Sequence, residues 1–258
     1  MMDYSEKIEK SIALIREYEP YAEMACGYHV GFSGGKDSQC LLQLFKESGV
    51  KYRAFYNVTT NDPPANVDFI RKNYPEVEFL FPQLNFWQLM KKKKTIPTRL
   101  KRFCCSYFKE RGGIFTALGV RREESLKRRD YPIIVLENRK EFDKTTYKGQ
   151  RVRFYPIIEW TESEVWEFIE SRNLPINPLY DTFGRVGCML CPYANKRQII
   201  YWFRKYPKLR TQFLKTISEM MDDGFMNKYP TATPDSVLEW WMSSQNANMF
   251  FNQTKLDF

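Results

Sequence analysis

The strand-like run Tyr28–Phe32 passes directly into Ser33-Gly34-Gly35-Lys36-Asp37-Ser38, and this junction limits the fold more than any other stretch of the chain. Two adjacent glycines permit a tight turn that side chains would obstruct. Beyond them, Cys40, Leu41, Leu44 and Phe45 fall on one face of a 3.6-residue period, which predicts a helix from Asp37 to Ser48 closed by Gly49. Tyr52–Val58 and Val77–Phe81 read as further strands, with a helix over Pro64–Asn73 between them. Strand, helix, strand, helix, strand predicts an α/β fold: a parallel twisted sheet with helices on both faces.

The remaining pattern extends this plan. Residues 6–19 carry an amphipathic helical pattern, and Ile114–Gly119, Pro132–Leu136 and Arg151–Ile158 read as strands. Thr161 and Glu164 form a capping box that opens a helix through Arg172, whose buried face is Val165, Trp166, Phe168 and Ile169. A long amphipathic pattern covers Asn195 to Met221, and the tail Pro230–Phe258, with Trp240-Trp241 and Phe250-Phe251, reads as a helix and a strap. The expected division is a nucleotide-binding domain over 1–194 that carries the cysteines, and a mainly helical extension over 195–258 packed on it. At 258 residues and 43% hydrophobic content, the chain can bury a sizeable core.

The N-terminus is polar and no stretch reaches the roughly 18 apolar residues of a membrane span, so the expectation is a cytoplasmic chain with no membrane partner. Net charge is +9, and Lys91 to Arg129 alone holds 14 Lys/Arg against 3 Glu. Lys91–Lys94 by itself reads as a solvated surface. The whole 91–129 segment, which carries more than the net excess, suits a polyanionic partner: a nucleotide or a nucleic acid.

A loop that holds phosphates needs small residues, so that backbone N–H groups can approach the oxygens, and it gains from opening a helix. Ser33-Gly34-Gly35-Lys36-Asp37-Ser38 meets both demands, although its spacing is not that of a Walker A loop. Six cysteines argue for metal or redox chemistry in a cytoplasmic chain. Cys104-Cys105 and Cys188-x-x-Cys191 form two pairs with 82 residues between them. On chemistry alone they fit a 4Fe-4S cluster, a structural zinc or free buried thiols. Cys40, on the apolar stripe, and Cys26 read as structural, and His29 as a core histidine.

Ser-Gly-Gly-x-Asp-Ser after the first strand resembles the PP-loop of the adenine nucleotide alpha hydrolase superfamily. The cysteine pattern is similar to the 4Fe-4S ligand set of adenylyl-sulfate reductases and the wider phosphoadenylyl-sulfate reductase family. The likeness continues in Lys109, in Gly119-Val120-Arg121-Arg122-Glu123-Glu124-Ser125, in Pro156-Ile157-Ile158-Glu159-Trp160, and in Leu179-Tyr180-Asp181 followed by Gly187-Cys188. The resemblance implies that Ser33, Gly34, Gly35, Lys36, Asp37, Ser38, Gly119 and Arg121 bind the nucleotide. It implies that Lys36, Asp37, Lys109 and Arg121 serve the reaction, with Mg2+ neutralising the leaving group. It also implies that Cys104, Cys105, Cys188 and Cys191 hold the cluster.

Two departures shape the functional expectation. Sulfonucleotide reductases attack with a C-terminal cysteine and carry degenerate loops, whereas ATP pyrophosphatases keep Ser-Gly-Gly-x-Asp-Ser intact. This sequence has no cysteine after Cys191, and its loop is intact. The reading that follows is an ATP pyrophosphatase that adenylylates a substrate for sulfur transfer, similar to the corresponding component of DNA phosphorothioation systems. Nucleic acid is the candidate acceptor, and a cysteine desulfurase is a candidate sulfur donor. Two alternatives remain open: a phosphoadenylyl-sulfate or adenylyl-sulfate reductase that borrows a partner thiol and uses thioredoxin, and a non-catalytic nucleic-acid-binding module with structural zinc.

Overall fold

The computed structural model describes residues 4–137 and 141–253. Its chain folds into two compact units interleaved in sequence: one made of residues 1–57, 64–80 and 111–186, the other of 58–63, 81–110 and 187–258.

The first unit is built on a six-stranded sheet of order β3-β2-β1-β4-β6-β5. Its strands are β1 (Tyr28–Phe32), β2 (Tyr52–Asn57), β3 (Glu78–Leu80), β4 (Phe115–Ala117), β5 (Ile134–Leu136) and β6 (Val152–Phe154). Every pairing is parallel except β5 with β6, which runs antiparallel from Ile134 opposite Phe154 to Leu136 opposite Val152. The expected parallel sheet therefore carries one antiparallel edge. From β1 the chain proceeds to β2 and β3 on one side, then returns to place β4 on the other. That reversal makes the end of β1 the switch point of the sheet, where open α/β sheets bind ligands. Four of the five β1 residues are buried, as suits a strand covered on both faces.

The helices of this unit are α1 (Tyr4–Glu17), α2 (Glu19–Glu23), α3 (Lys36–Ser48), α4 (Pro64–Asn73), α7 (Glu162–Ser171) and α8 (Leu179–Phe183). Helix α3 ends where expected, with Gly49 in the left-handed region at φ 74°. Helix α7 opens on the expected capping box, in which the Thr161 side chain accepts from the Glu164 N–H and the Glu164 side chain accepts from the Thr161 N–H. Leu41, Leu44 and Phe45 of α3 are fully buried, and the Tyr28 ring meets Phe45 and Phe115 edge-on at 5.0 and 5.2 Å.

The second unit is helical: α5 (Phe86–Lys93), α6 (Phe103–Phe108), α9 (Lys196–Lys205), α10 (Pro207–Asp222), α11 (Pro234–Ser243) and α12 (Ala247–Gln253). Phe86, Leu89, Met90, Phe213, Ile217, Met220, Val237 and Trp241 share its core. The long pattern over Asn195–Met221 is two helices. Pro207 occupies the first turn of α10, and Tyr206 before it leaves the helical region at φ −130°, ψ 80°. In the tail, Trp241 is buried and donates its indole N–H to the Pro97 carbonyl at 2.7 Å, while residues 254–258 lie outside the described residues. No helix among the described residues is long and apolar enough to cross a membrane.

Candidate active site and cysteine pocket

The loop after β1 is shaped by close approach. Gly34 sits at φ +77°, and a Cβ there would stand 2.4 Å from Asn66 Oδ1. The Ser38 hydroxyl donates to the Gly35 carbonyl at 2.8 Å and accepts the Ser33 N–H at 3.1 Å, which closes the turn on itself. Two buried amides satisfy its carbonyls: Asn66 Nδ2 donates to Ser33 O at 3.2 Å, and Asn177 Nδ2 donates to Gly34 O at 3.0 Å. The N-cap of α3 is Gly35, which has no side chain to offer. The first turn therefore presents amide donors at the positive end of a 13-residue helix, the arrangement that binds anions. One of these donors is already engaged, since the Lys36 N–H donates to the Tyr180 hydroxyl at 2.8 Å.

Charge is gathered around Asp37. Arg121, 2% exposed, donates from Nε to Asp37 Oδ1 at 2.6 Å and from Nη1 to Glu123 Oε2 at 2.7 Å. Lys36 Nζ donates to Asp37 Oδ2 at 3.2 Å and lies 3.4 Å from Glu162 Oε1. Gly119, after β4, brings the two loops together, because a Cβ there would stand 2.7 Å from the Asp37 carbonyl oxygen. Both carboxylate oxygens of Asp37 are thus engaged by cations that an incoming polyphosphate would also attract. The expected nucleotide residues Ser33, Gly34, Gly35, Lys36, Asp37, Ser38, Gly119 and Arg121 all fall within this one constellation.

The four paired cysteines line a second pocket, in the helical unit, with Thr59, Asn61, Lys109 and apolar Phe86, Phe108, Leu190 and Pro192. Thr59 Oγ1 lies 3.6 Å from Cys188 Sγ. Hydrogen bonding with Cys104 lowers the Cys105 thiol to about 6, helped by Lys109 and Arg102, and raises Cys104. Burial raises Cys188. The Lys109 ammonium is held above its ordinary range, first by Cys188 and then by Cys105 and Cys191. Sulfur from four cysteines, with no imidazole or carboxylate lining the pocket, is a donor set suited to a thiophilic centre. Among the described residues, no three His, Cys, Asp or Glu side chains are grouped so that they could hold a single metal ion.

Residues 27–194 match the phosphoadenosine phosphosulfate reductase domain, a stretch that includes the loop and all four paired cysteines. The chain belongs to the phosphoadenosine phosphosulfate reductase domain family. The chain is 27% identical over 236 residues to an uncharacterised protein of Methanocaldococcus jannaschii, covering 83% of this chain and 54% of that one. It is 35% identical to the adenosine 5'-phosphosulfate reductase of Bacillus cytotoxicus over 74 residues, or 28% of each chain. The chain spans about half the length of the curated relatives that it matches over most of its own length. Among solved structures it is similar to phosphoadenylyl-sulfate reductase from Candida auris, with TM-score 0.44 and 14% identity over 73% of this chain and 96% of that one. It is also similar to FMN adenylyltransferase from Candida glabrata, with TM-score 0.48 and 15% identity over 72% and 63%.

The family motifs do not all fall in one unit. Lys36, Asp37 and Arg121 stand together on the sheet unit, whereas Lys109 and the four cysteines belong to the helical unit. The 91–129 segment is divided likewise, and Lys91 pairs with Glu219. Asn66, Asn177 and Glu162 stand outside every motif read from the sequence, and Glu123 and Tyr180 entered only as members of one. Asn177, fully buried, carried the one available signal, an Asn-Pro step ahead of a helix: its Oδ1 accepts the Leu179 N–H at 3.0 Å at the start of α8. All six cysteines are free thiols; Cys40 is buried as expected, whereas Cys26 is exposed on a turn at φ 66°.

Proposed function

We propose that this member of the family is an ATP pyrophosphatase that activates an acceptor, of the nucleic-acid class, by adenylylation for sulfur transfer, with a 4Fe-4S cluster held by Cys104, Cys105, Cys188 and Cys191. The observation that carries the reading is the Asp37 network beneath the uncapped start of α3. Polyphosphate arriving at the loop competes with Asp37 for Lys36 and Arg121, so the protein exchanges internal ion pairs for ligand ones instead of leaving charge buried and unpaired. Lys36, Arg121 and the first-turn amides would hold the phosphates as an acceptor oxygen attacks the α-phosphorus. The bond from that phosphorus to the bridging oxygen breaks, pyrophosphate leaves, and the acceptor keeps the adenylyl group. Mg2+ would arrive with the triphosphate, since both Asp37 oxygens are engaged. A cluster in the cysteine pocket would supply a site that holds or relays sulfur from a donor such as a cysteine desulfurase.

The test is pyrophosphate release from ATP by anaerobically purified protein, with and without nucleic acid, beside Asp37→Asn and Cys188→Ala. Wild type should release pyrophosphate and show a broad band near ~400 nm from Cys-ligated iron. Asp37→Asn removes the carboxylate that positions Lys36 and Arg121 and, through their misplacement, should lose at least about tenfold in rate, and keep the band. Cys188→Ala should lose the band. A colourless protein inert to ATP contradicts the proposal. Turnover of adenylyl sulfate with thioredoxin, with ATP untouched, would favour a reductase instead.

A further inference from the structure

The sequence is free of acid in two segments that the helical unit brings side by side. Between Lys91 and Lys109 there are eight Lys/Arg and no Asp or Glu, and between Tyr193 and Arg210 there are six and none. Their junction is fixed by specific contacts. Arg99 Nε donates to the Pro192 carbonyl at 3.2 Å, and the Tyr193 hydroxyl donates to the Arg99 carbonyl at 3.5 Å. The Arg102 guanidinium lies 5.0 Å from the centre of the Tyr193 ring. Pro192 also lines the cysteine pocket, so this surface forms a rim of that pocket.

At the far ends of these segments carboxylates are present: Lys91 pairs with Glu219 and Arg210 with Asp235. Among the described residues, no carboxylate pairs with Arg99, Lys101, Arg102, Lys196 or Arg197. Lys196 and Arg197 occupy the first turn of α9, which contains no acid, where the helix dipole disfavours positive charge. An uncompensated cationic cluster in that position carries a cost that an anionic partner removes. Two apolar groups stand out of the same surface: Tyr193 is 48% exposed and Leu100 is 96% exposed.

We propose that the surface formed by Arg99, Lys101, Arg102, Tyr193, Lys196 and Arg197 binds single-stranded nucleic acid, with phosphates on the cations and a base stacked on the Tyr193 ring. Charge complementarity selects a polyanion. The exposed ring backed by a guanidinium selects one with unstacked bases, since base–aromatic stacking tolerates any sequence and requires the base to be free of a duplex. This assignment rests on the nucleic-acid acceptor proposed above and locates it beside the cysteines, independently of the nucleotide loop.

The test is fluorescence anisotropy of fluorescein-labelled dodecamers of uridine and of thymidine, titrated with the full chain over a range of salt without ATP. Wild type should bind, with affinity falling as salt rises. Lys196→Gln together with Arg197→Gln should flatten the log–log salt slope by roughly 1.4, about 0.7 for each lost phosphate contact. Tyr193→Ala should weaken binding about tenfold with the slope unchanged, and Tyr193→Phe, which keeps the ring, should bind like wild type. Preference for uridine or for thymidine identifies an RNA or a DNA strand, and either supports the proposal. It is overturned if neither dodecamer binds at low salt, if a duplex binds as tightly and Tyr193→Ala has no effect, or if vesicles of anionic lipid are bound and the dodecamers are not. Pyrophosphate release is not read in this assay, so binding without ATP cleavage would contradict the function proposed above and leave this surface standing.

Discussion

The residue whose environment explains most about the site is Asp37. It draws Lys36 and Arg121 together, and the Arg121 side chain is almost wholly withdrawn from solvent. Burying a guanidinium is costly unless its charge is paired, and Asp37 and Glu123 supply that pairing here. His29 illustrates the opposite case, a titratable group buried without compensation. It stacks on Phe55 at 3.9 Å, its Nε2 has no hydrogen-bond partner among the described residues, and burial, aided by Arg53, lowers its pKa to about 4 from 6.5. The folded protein therefore holds His29 neutral. Its contribution is fully present above pH 6.5 and is lost progressively as pH falls towards 4, on the order of 3 kcal/mol in all. His29→Phe should keep the stack and remove this dependence. Denaturant unfolding at pH 7 and at pH 4.5 should show a smaller loss of stability in the variant than in wild type, and equal losses would refute the assignment.

At the level of elements, what could be read from the sequence was set by local chemistry. β1, α4 and the Thr161 capping box fall where pattern and cap residues put them, because each is specified within about ten neighbouring residues. Thr161→Ala should cost about 1 kcal/mol, seen as a lowered unfolding midpoint with the fold retained. The short strands over 115–117, 134–136 and 152–154 are briefer than their apolar runs suggest, since a ladder ends where the neighbouring strand ends. The antiparallel direction of β5 was likewise hidden, being a property of the pairing with β6. Helices α5 and α6, of eight and six residues, are too short to show a helical period in the sequence.

At the scale of the whole chain, the family was legible from two motifs, and the distribution of its residues was not. The loop and the cysteines are separated in sequence by stretches that alternate between the two units, and contiguous sequence gives no sign of such interleaving. The continuous 1–194 domain read from the sequence takes no account of it: residues 58–63, 81–110 and 187–194 join the helices after 194 in one unit. The networks of Asn66, Asn177 and Tyr180 around the loop are long-range for the same reason.

Nucleotide choice is what separates an ATP pyrophosphatase from a sulfonucleotide reductase on this scaffold. Calorimetric titration of the wild-type protein with a non-hydrolysable ATP analogue and with adenylyl sulfate, compared with Asp37→Asn, reads that choice directly. The complete loop with its Asp37 network predicts tighter binding of the ATP analogue, by about tenfold or more for each additional charge-assisted phosphate contact, and a marked change in Asp37→Asn. Tight binding of adenylyl sulfate, with the ATP analogue weak and indifferent to Asp37, would contradict it.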